Sequence, residues 1–125
     1  MKEFVGVRQE PGSFRRLFTG NGLDLYVWYE DDHATIRGFE LVYPLRGRHK
    51  SIIWRKDKGY RHSTIDDGER PRYKRSPIHT PDGAFRSEAV ARYFAKVSRE
   101  IAPEVRRTVY TRLLAFEEER VDPLL

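Results

Sequence analysis

The chain contains no cysteine in its 125 residues. That absence removes disulfides, thiolate zinc sites and cysteine nucleophiles together. Small secreted domains ordinarily lean on disulfides, so a reducing, cytoplasmic compartment is the expectation. Long apolar runs are missing too. The stretch Met1-Lys2-Glu3-Phe4-Val5-Gly6-Val7-Arg8 has no apolar core of signal-peptide length. No run approaches the roughly 20 apolar residues of a membrane helix, so no membrane partner is expected. Nor is there a Walker A loop, a G-x-G-x-x-G after a strand, a G-x-S-x-G or an H-E-x-x-H. Phosphate loops, nucleophile elbows and zincin helices are excluded with them. No cofactor or metal is expected, and internal repeats and low-complexity segments are absent.

What is present fits one folded domain over residues 1–125. This length is close to the commonest domain size, and it lets the chain bury about two-thirds of its unfolded surface without staples. Mean hydropathy is −0.74 and charged residues make up 34%, but 13% aromatic residues argue for a core. Net charge is +5, unevenly spread. Between Arg46 and Arg75 stand eleven basic and four acidic residues, a local net of +7 that leaves −2 for the rest. From Arg86 onward eight basic residues face seven acidic ones. The positive field therefore comes from the middle of the chain.

The pattern predicts an α+β fold: an antiparallel β meander of five to six strands over about residues 1–80, then a helical segment over about 86–120. A short strand precedes Pro11-Gly12. Residues 14–18 form the next and stop at Gly20-Asn21-Gly22. Residues 23–29 are the strongest strand, dense in branched and aromatic side chains. Alternation sets Leu23, Leu25, Val27 and Tyr29 against Asp24, Tyr26 and Trp28, so both faces hold large apolar groups and a central, doubly covered strand is expected. Glu30-Asp31-Asp32-His33 turns the chain. Residues 35–43 return with Ile36, Glu40 and Val42 opposite Phe39, Leu41 and Tyr43. Residues 51–55 place Ile52 and Trp54 opposite Ile53. Asp57-Lys58-Gly59 reads as a hairpin turn, residues 60–65 as a further strand ended by Asp66-Asp67-Gly68, and residues 73–80 as an edge strand limited by Pro77. Ser87 is the candidate cap of a helix with Val90, Phe94, Val97 and Ile101 at helical spacing and Tyr93 beside them. Pro103 suits the first turn of a new helix and disfavours α geometry at Ala102, so a kink or break is placed there. Val105, Val109, Leu113 and Phe116 continue the stripe. Such a stripe must be buried, and one sheet face is the partner at hand, which favours a curved sheet or half-barrel wrapped on the helix.

The runs Leu25-Tyr26-Val27-Trp28-Tyr29, Gly38-Phe39-Glu40-Leu41-Val42-Tyr43 and Ile53-Trp54-Arg55, with His62, Asp66-Asp67-Gly68, Pro77, Asp82-Gly83 and Phe85, resemble a family of small uncharacterised bacterial proteins, a domain of unknown function. The resemblance spans residues 14–85. It rests on aromatic strand positions and turn glycines and so implies a fold. It implies no activity and carries over no functional residue. The basic loop of Arg46, Arg48 and Lys50 stands outside the pattern.

Three groups of residues could carry chemistry. Arg46, Arg48, Lys50, Arg55, Lys56, Lys58 and Arg61 fall within sixteen residues, with His49, Trp54 and Tyr60 interleaved. Cations neutralise phosphates and aromatics stack on bases, the usual grip on single-stranded nucleic acid. The same charges would equally serve as solvated loops and edge protection, with Trp54 in the core. His62 with Asp66, Asp67 and His79 has the parts of an oriented general base, or equally of a surface strand followed by a turn, and no catalytic residue is assigned. Asp24 and Glu40 fall among apolar neighbours. If buried they need partners such as Arg15 or Arg37, and with Tyr26 and Trp28 they could line the pocket of a ligand-binding barrel.

The leading expectation is a non-catalytic binding module whose basic residues Arg46, Arg48, Lys50, Arg55, Lys58 and Arg61 contact nucleic acid or another anionic partner. The alternatives are a small-molecule-binding sheet or barrel, enzymatic or not, around Asp24, Tyr26, Trp28 and Glu40, and a protein that dimerises through its C-terminal helix.

Overall fold

The computed structural model describes residues 1–45, 47–65 and 87–119. Six strands lie in one antiparallel sheet in chain order: β1 (Lys2–Phe4), β2 (Phe14–Gly20), β3 (Leu23–Tyr29), β4 (Ile36–Leu45), β5 (Arg48–Arg55) and β6 (Gly59–Ile65). Two helices follow, α1 (Ser87–Val97) and α2 (Pro103–Glu119). The expected meander-then-helix order is the observed one, as an open sheet that does not close into a barrel. The edge strand expected over residues 73–80 lies outside the described residues, as does the turn at Asp66-Asp67-Gly68.

Local chemistry sets the register. Asn21 and Gly22 both take positive φ, 57° and 82°, between the paired residues Gly20 and Leu23. That is the two-residue hairpin whose twist matches its strands. At the next turn the Asp32 carboxylate accepts the Ala34 and Thr35 amides at 2.9 and 2.8 Å and the Thr35 hydroxyl at 2.5 Å. These bonds pull its pKa down to about 2. Three residues then join β5 to β6, with Gly59 at φ 76° and the Lys58 amide bonded to the Arg55 carbonyl.

β3 alternates as expected, with Leu23, Leu25, Val27 and Tyr29 buried and Asp24, Tyr26 and Trp28 half-buried between them. The helices pack on one face; on the other, Val42, Pro44, His49 and Ser51, toward the Asp24 end of β3, are buried as well. One expectation fails at β4. Trp28 pairs with Gly38 but Tyr29 pairs with Ile36, which leaves Arg37 as the extra residue of a bulge. A bulge reverses the alternation beyond it, so Ile36 packs against the core instead of sharing a face with Glu40 and Val42.

The core is the layer between sheet and helices. Leu25, Val27, Phe39, Leu41 and Ile52 are fully buried beneath Val90, Phe94, Val105, Val109 and Leu113. Ser87, the expected cap, is the first helical residue. The break comes where expected: α1 ends at Val97 and Pro103 opens α2, a position where its missing N–H has no partner to lose. Arg106 ties the two helices, donating from Nε to the Ser98 hydroxyl at 3.1 Å and from Nη2 to the Ala95 carbonyl at 2.8 Å. Tyr60 joins β6 to α2 through a 2.6 Å bond to the Arg112 carbonyl, and its ring meets Phe116 edge-on.

Candidate nucleic-acid interface

The pairing register decides which side chains share the face of the sheet away from the helices. One cross-strand row there runs Arg15, Trp28, Gly38, Arg55 and Gly59, and the next runs Leu17, Tyr26, Glu40, Ile53 and Arg61. Directly opposed residues point to the same side, so both rows face away from the helices.

Tyr26 and Trp28 stand two residues apart on β3 with ring centroids 6.4 Å apart and planes 22° from parallel. The Arg15 guanidinium lies over the Tyr26 ring at 5.9 Å and that of Arg55 over the Trp28 ring at 6.0 Å. Arg15 is aimed by the segment before it: its Nε donates to the Arg8 carbonyl at 3.0 Å, and Gln9 bonds both its amide and its carbonyl. Arg55 is two strands from Trp28, roughly 10 Å at the backbone. It reaches the ring across Gly38, which has no side chain to block it. A Cβ at Gly38 would meet the Trp54 carbonyl oxygen at 2.6 Å and the Arg55 Cγ at 3.4 Å. The bulge at Arg37 is built against this point. Trp28, Arg37, Gly38, Arg55, Asp57, Lys58 and Ser13 line a cavity of about 230 Å³.

Charge on this face is unbalanced. Asp24 accepts the Thr19 hydroxyl at 2.7 Å, and Glu40 accepts the Ser51 hydroxyl at 2.6 Å. Neither pairs with Arg15 or Arg37, the partners expected for them. Arg37, Arg55, Lys58 and Arg61 form no ion pair with a described residue. The carboxylates are satisfied by hydroxyls, and these cations have no carboxylate partner among the described residues.

The structure therefore divides the basic residues named from sequence. Arg55 and Lys58 line the cavity beside Trp28, and Arg61 lies on the same face in the row of Tyr26, three strands away from it. Lys50 pairs with Tyr43 and Arg48 with Leu45, on the side of the sheet that carries the helices and toward its other end. Arg46 lies outside the described residues. Arg15 and Arg37 belong to the group, although closeness in sequence does not mark them as binding residues. Trp54 is 6% exposed, packs on Phe39 and carries the Arg112 guanidinium at 4.4 Å, so it belongs to the core.

The pocket residues Asp24, Tyr26, Trp28 and Glu40 share one face, but it is the helix-free one. The described strands do not close into a barrel around them, and the space behind β3 is filled by the core. His62 also lies on the helix side. Its Nε2 is 2.6 Å from the Tyr43 hydroxyl, whose pKa burial pushes up. Asp66 is outside the described residues, and no cluster of three metal-ligating side chains exists among the described ones. The apolar stripe from Val90 to Phe116 is buried in the chain's own core, as expected, and leaves Tyr110 and Leu114 of α2 exposed. No helix among the described residues is long and apolar enough to cross a membrane.

No family model, no curated protein and no solved structure matches this chain.

Proposed function

We propose that the helix-free face of the sheet binds single-stranded nucleic acid without catalysing a reaction. One observation carries this reading. Two near-parallel aromatic rings, Tyr26 and Trp28, are set on that face with Arg15 and Arg55 over them. Bases stack on aromatic rings, and phosphates need cations that are not already neutralised. Half-buried rings, each under a displaceable guanidinium, and cations without an ion pair to a described residue meet here on one face. Basic surface alone would be weak support, and so would surface aromatics. Their convergence through the register is the stronger sign.

Salt dependence tests the reading. Five cations stand on this face or at its turn: Arg15, Arg37, Arg55, Lys58 and Arg61. If each displaces one counterion from a single strand, the slope of log K against log salt is about −3.5, and affinity falls about a hundredfold between about 50 and 200 mM salt. Replacing Arg55 and Arg61 by Ala makes the slope shallower by about 1.4. Replacing Arg48 and Lys50 leaves it unchanged. Binding that is indifferent to salt, or that responds to the Arg48 and Lys50 changes instead, removes the proposal.

A further inference from the structure

The cavity at the bulge differs from the rest of the face. It is lined by Trp28, Arg37, Gly38, Arg55, Asp57 and Lys58, with Ser13 beside them. Its side chains sum to +2, with three cations and one carboxylate. At about 230 Å³ it falls below the roughly 300 Å³ at which sites for drug-sized ligands begin, so it suits one small unit of a polymer. The Arg55 guanidinium stands 6.0 Å from the Trp28 ring centroid. A base that stacks on Trp28 displaces this guanidinium from the ring and turns it toward the phosphate. Arg55 is exposed and carries no ion pair with a described residue, so its side chain is free to make that movement.

The geometry points to a single-nucleotide subsite here, in which a base bearing an exocyclic amino group stacks on Trp28 and gives its N–H to Asp57, while Arg37, Arg55 and Lys58 hold its phosphate. The assignment rests on the reading of this face as a nucleic-acid surface and adds a base preference to it. Asp57 is the one carboxylate in the lining, and it accepts hydrogen bonds without donating any. Cytosine, adenine and guanine present an amino donor at their pairing edge. Uracil presents two carbonyl oxygens there, which a carboxylate repels, and a single N–H. The subsite therefore discriminates against uracil.

Direct titration of the intact protein with the four nucleoside monophosphates, and separately with a mixed-sequence single-stranded oligonucleotide, followed by the Trp28 indole N–H resonance, tests this. The expected result is saturable binding of the cytidine, adenosine and guanosine monophosphates, with uridine monophosphate at least about fivefold weaker. Asp57→Ala, at an exposed turn where folding is not at stake, erases the difference. Arg37→Ala weakens all four alike. Equal binding of all four in the native protein overturns the inference. So does binding of the oligonucleotide with none of the monophosphates, which leaves the broader reading intact. Binding of the monophosphates but not of the oligonucleotide supports the subsite and removes the extended surface. Failure of both removes both.

Discussion

The two tryptophans occupy opposite sides of one sheet, and replacing each by alanine separates binding from folding. Trp28 is half-buried on the helix-free face beside Tyr26 and stands outside the core cluster of the described residues. Base–aromatic stacking is worth about 1–3 kcal/mol per base by alanine substitution. Trp28→Ala should therefore weaken oligonucleotide binding by about 5- to 150-fold, with a small change in thermal midpoint. Trp54 is 6% exposed between Phe39 and Arg112. Truncating such a residue costs about 3–5 kcal/mol, a fall of about 10–20 °C for a domain of this size. Below that melting point, Trp54→Ala should bind as the native protein does. Anisotropy of a labelled oligonucleotide reads affinity without relying on either tryptophan, and calorimetry reads stability. Native-like affinity in Trp28→Ala would refute the reasoning. Equal loss of stability in the two variants would show that Trp28 is a core residue.

Other outcomes follow from the same contacts. Gly38→Ala forces a Cβ to within 2.6 Å of the Trp54 carbonyl oxygen. It should lower stability by about 1–3 kcal/mol in urea titration and weaken oligonucleotide binding as Arg55 is pushed from Trp28. Leu113→Ala empties a fully buried site on α2 and should cost about 2–5 kcal/mol by the same titration, with binding unchanged below the unfolding transition. The Asp32 carboxylate should titrate with a midpoint of about 2, read by carbon NMR, and Thr35→Val should raise that midpoint. Because its folded value lies below the ordinary 3.8, the stabilisation of this turn is complete above about pH 4 and is lost as pH falls toward about 2. Arg106→Ala leaves the buried Ser98 hydroxyl and the Ala95 carbonyl without their donor and should cost about 1–3 kcal/mol.

Much of the fold is legible in the sequence because its signals are local. Asn21-Gly22 demands positive φ, and Pro103 demands a helix start. The alternation of β3 and the spacing from Val90 to Phe116 need nothing beyond their own segments. The bulge at Arg37 is not legible, since it belongs to the pairing of two strands, and it carries Ile36 to the core side against simple alternation. The candidate site shows the same divide. Arg15 is forty residues from Arg55 in the chain, and only the register sets it opposite Trp28. Closeness in sequence groups the basic run as one, whereas a strand sorts residues by parity. Lys50 shares the side of Ile52 and Trp54, and Arg55 that of Ile53. Parity needs only the sequence, and it separates Lys50 from Arg55 without any knowledge of the pairing. Alternation also places Asp24 with Tyr26 and Trp28 on one face. What alternation cannot say is which of the two faces carries the helices.

The central claim is that nucleic acid binds across the helix-free face of the sheet. Amide and indole chemical shifts of the labelled protein, followed as a single-stranded oligonucleotide is added at about 50 mM salt, where phosphate contacts are strongest, test it most directly. The account predicts shifts at Arg15, Tyr26, Trp28, Gly38, Arg55 and Arg61, with α1 and α2 unmoved. Shifts confined to the helices or to Arg48 and Lys50, or no shifts at all, would contradict it.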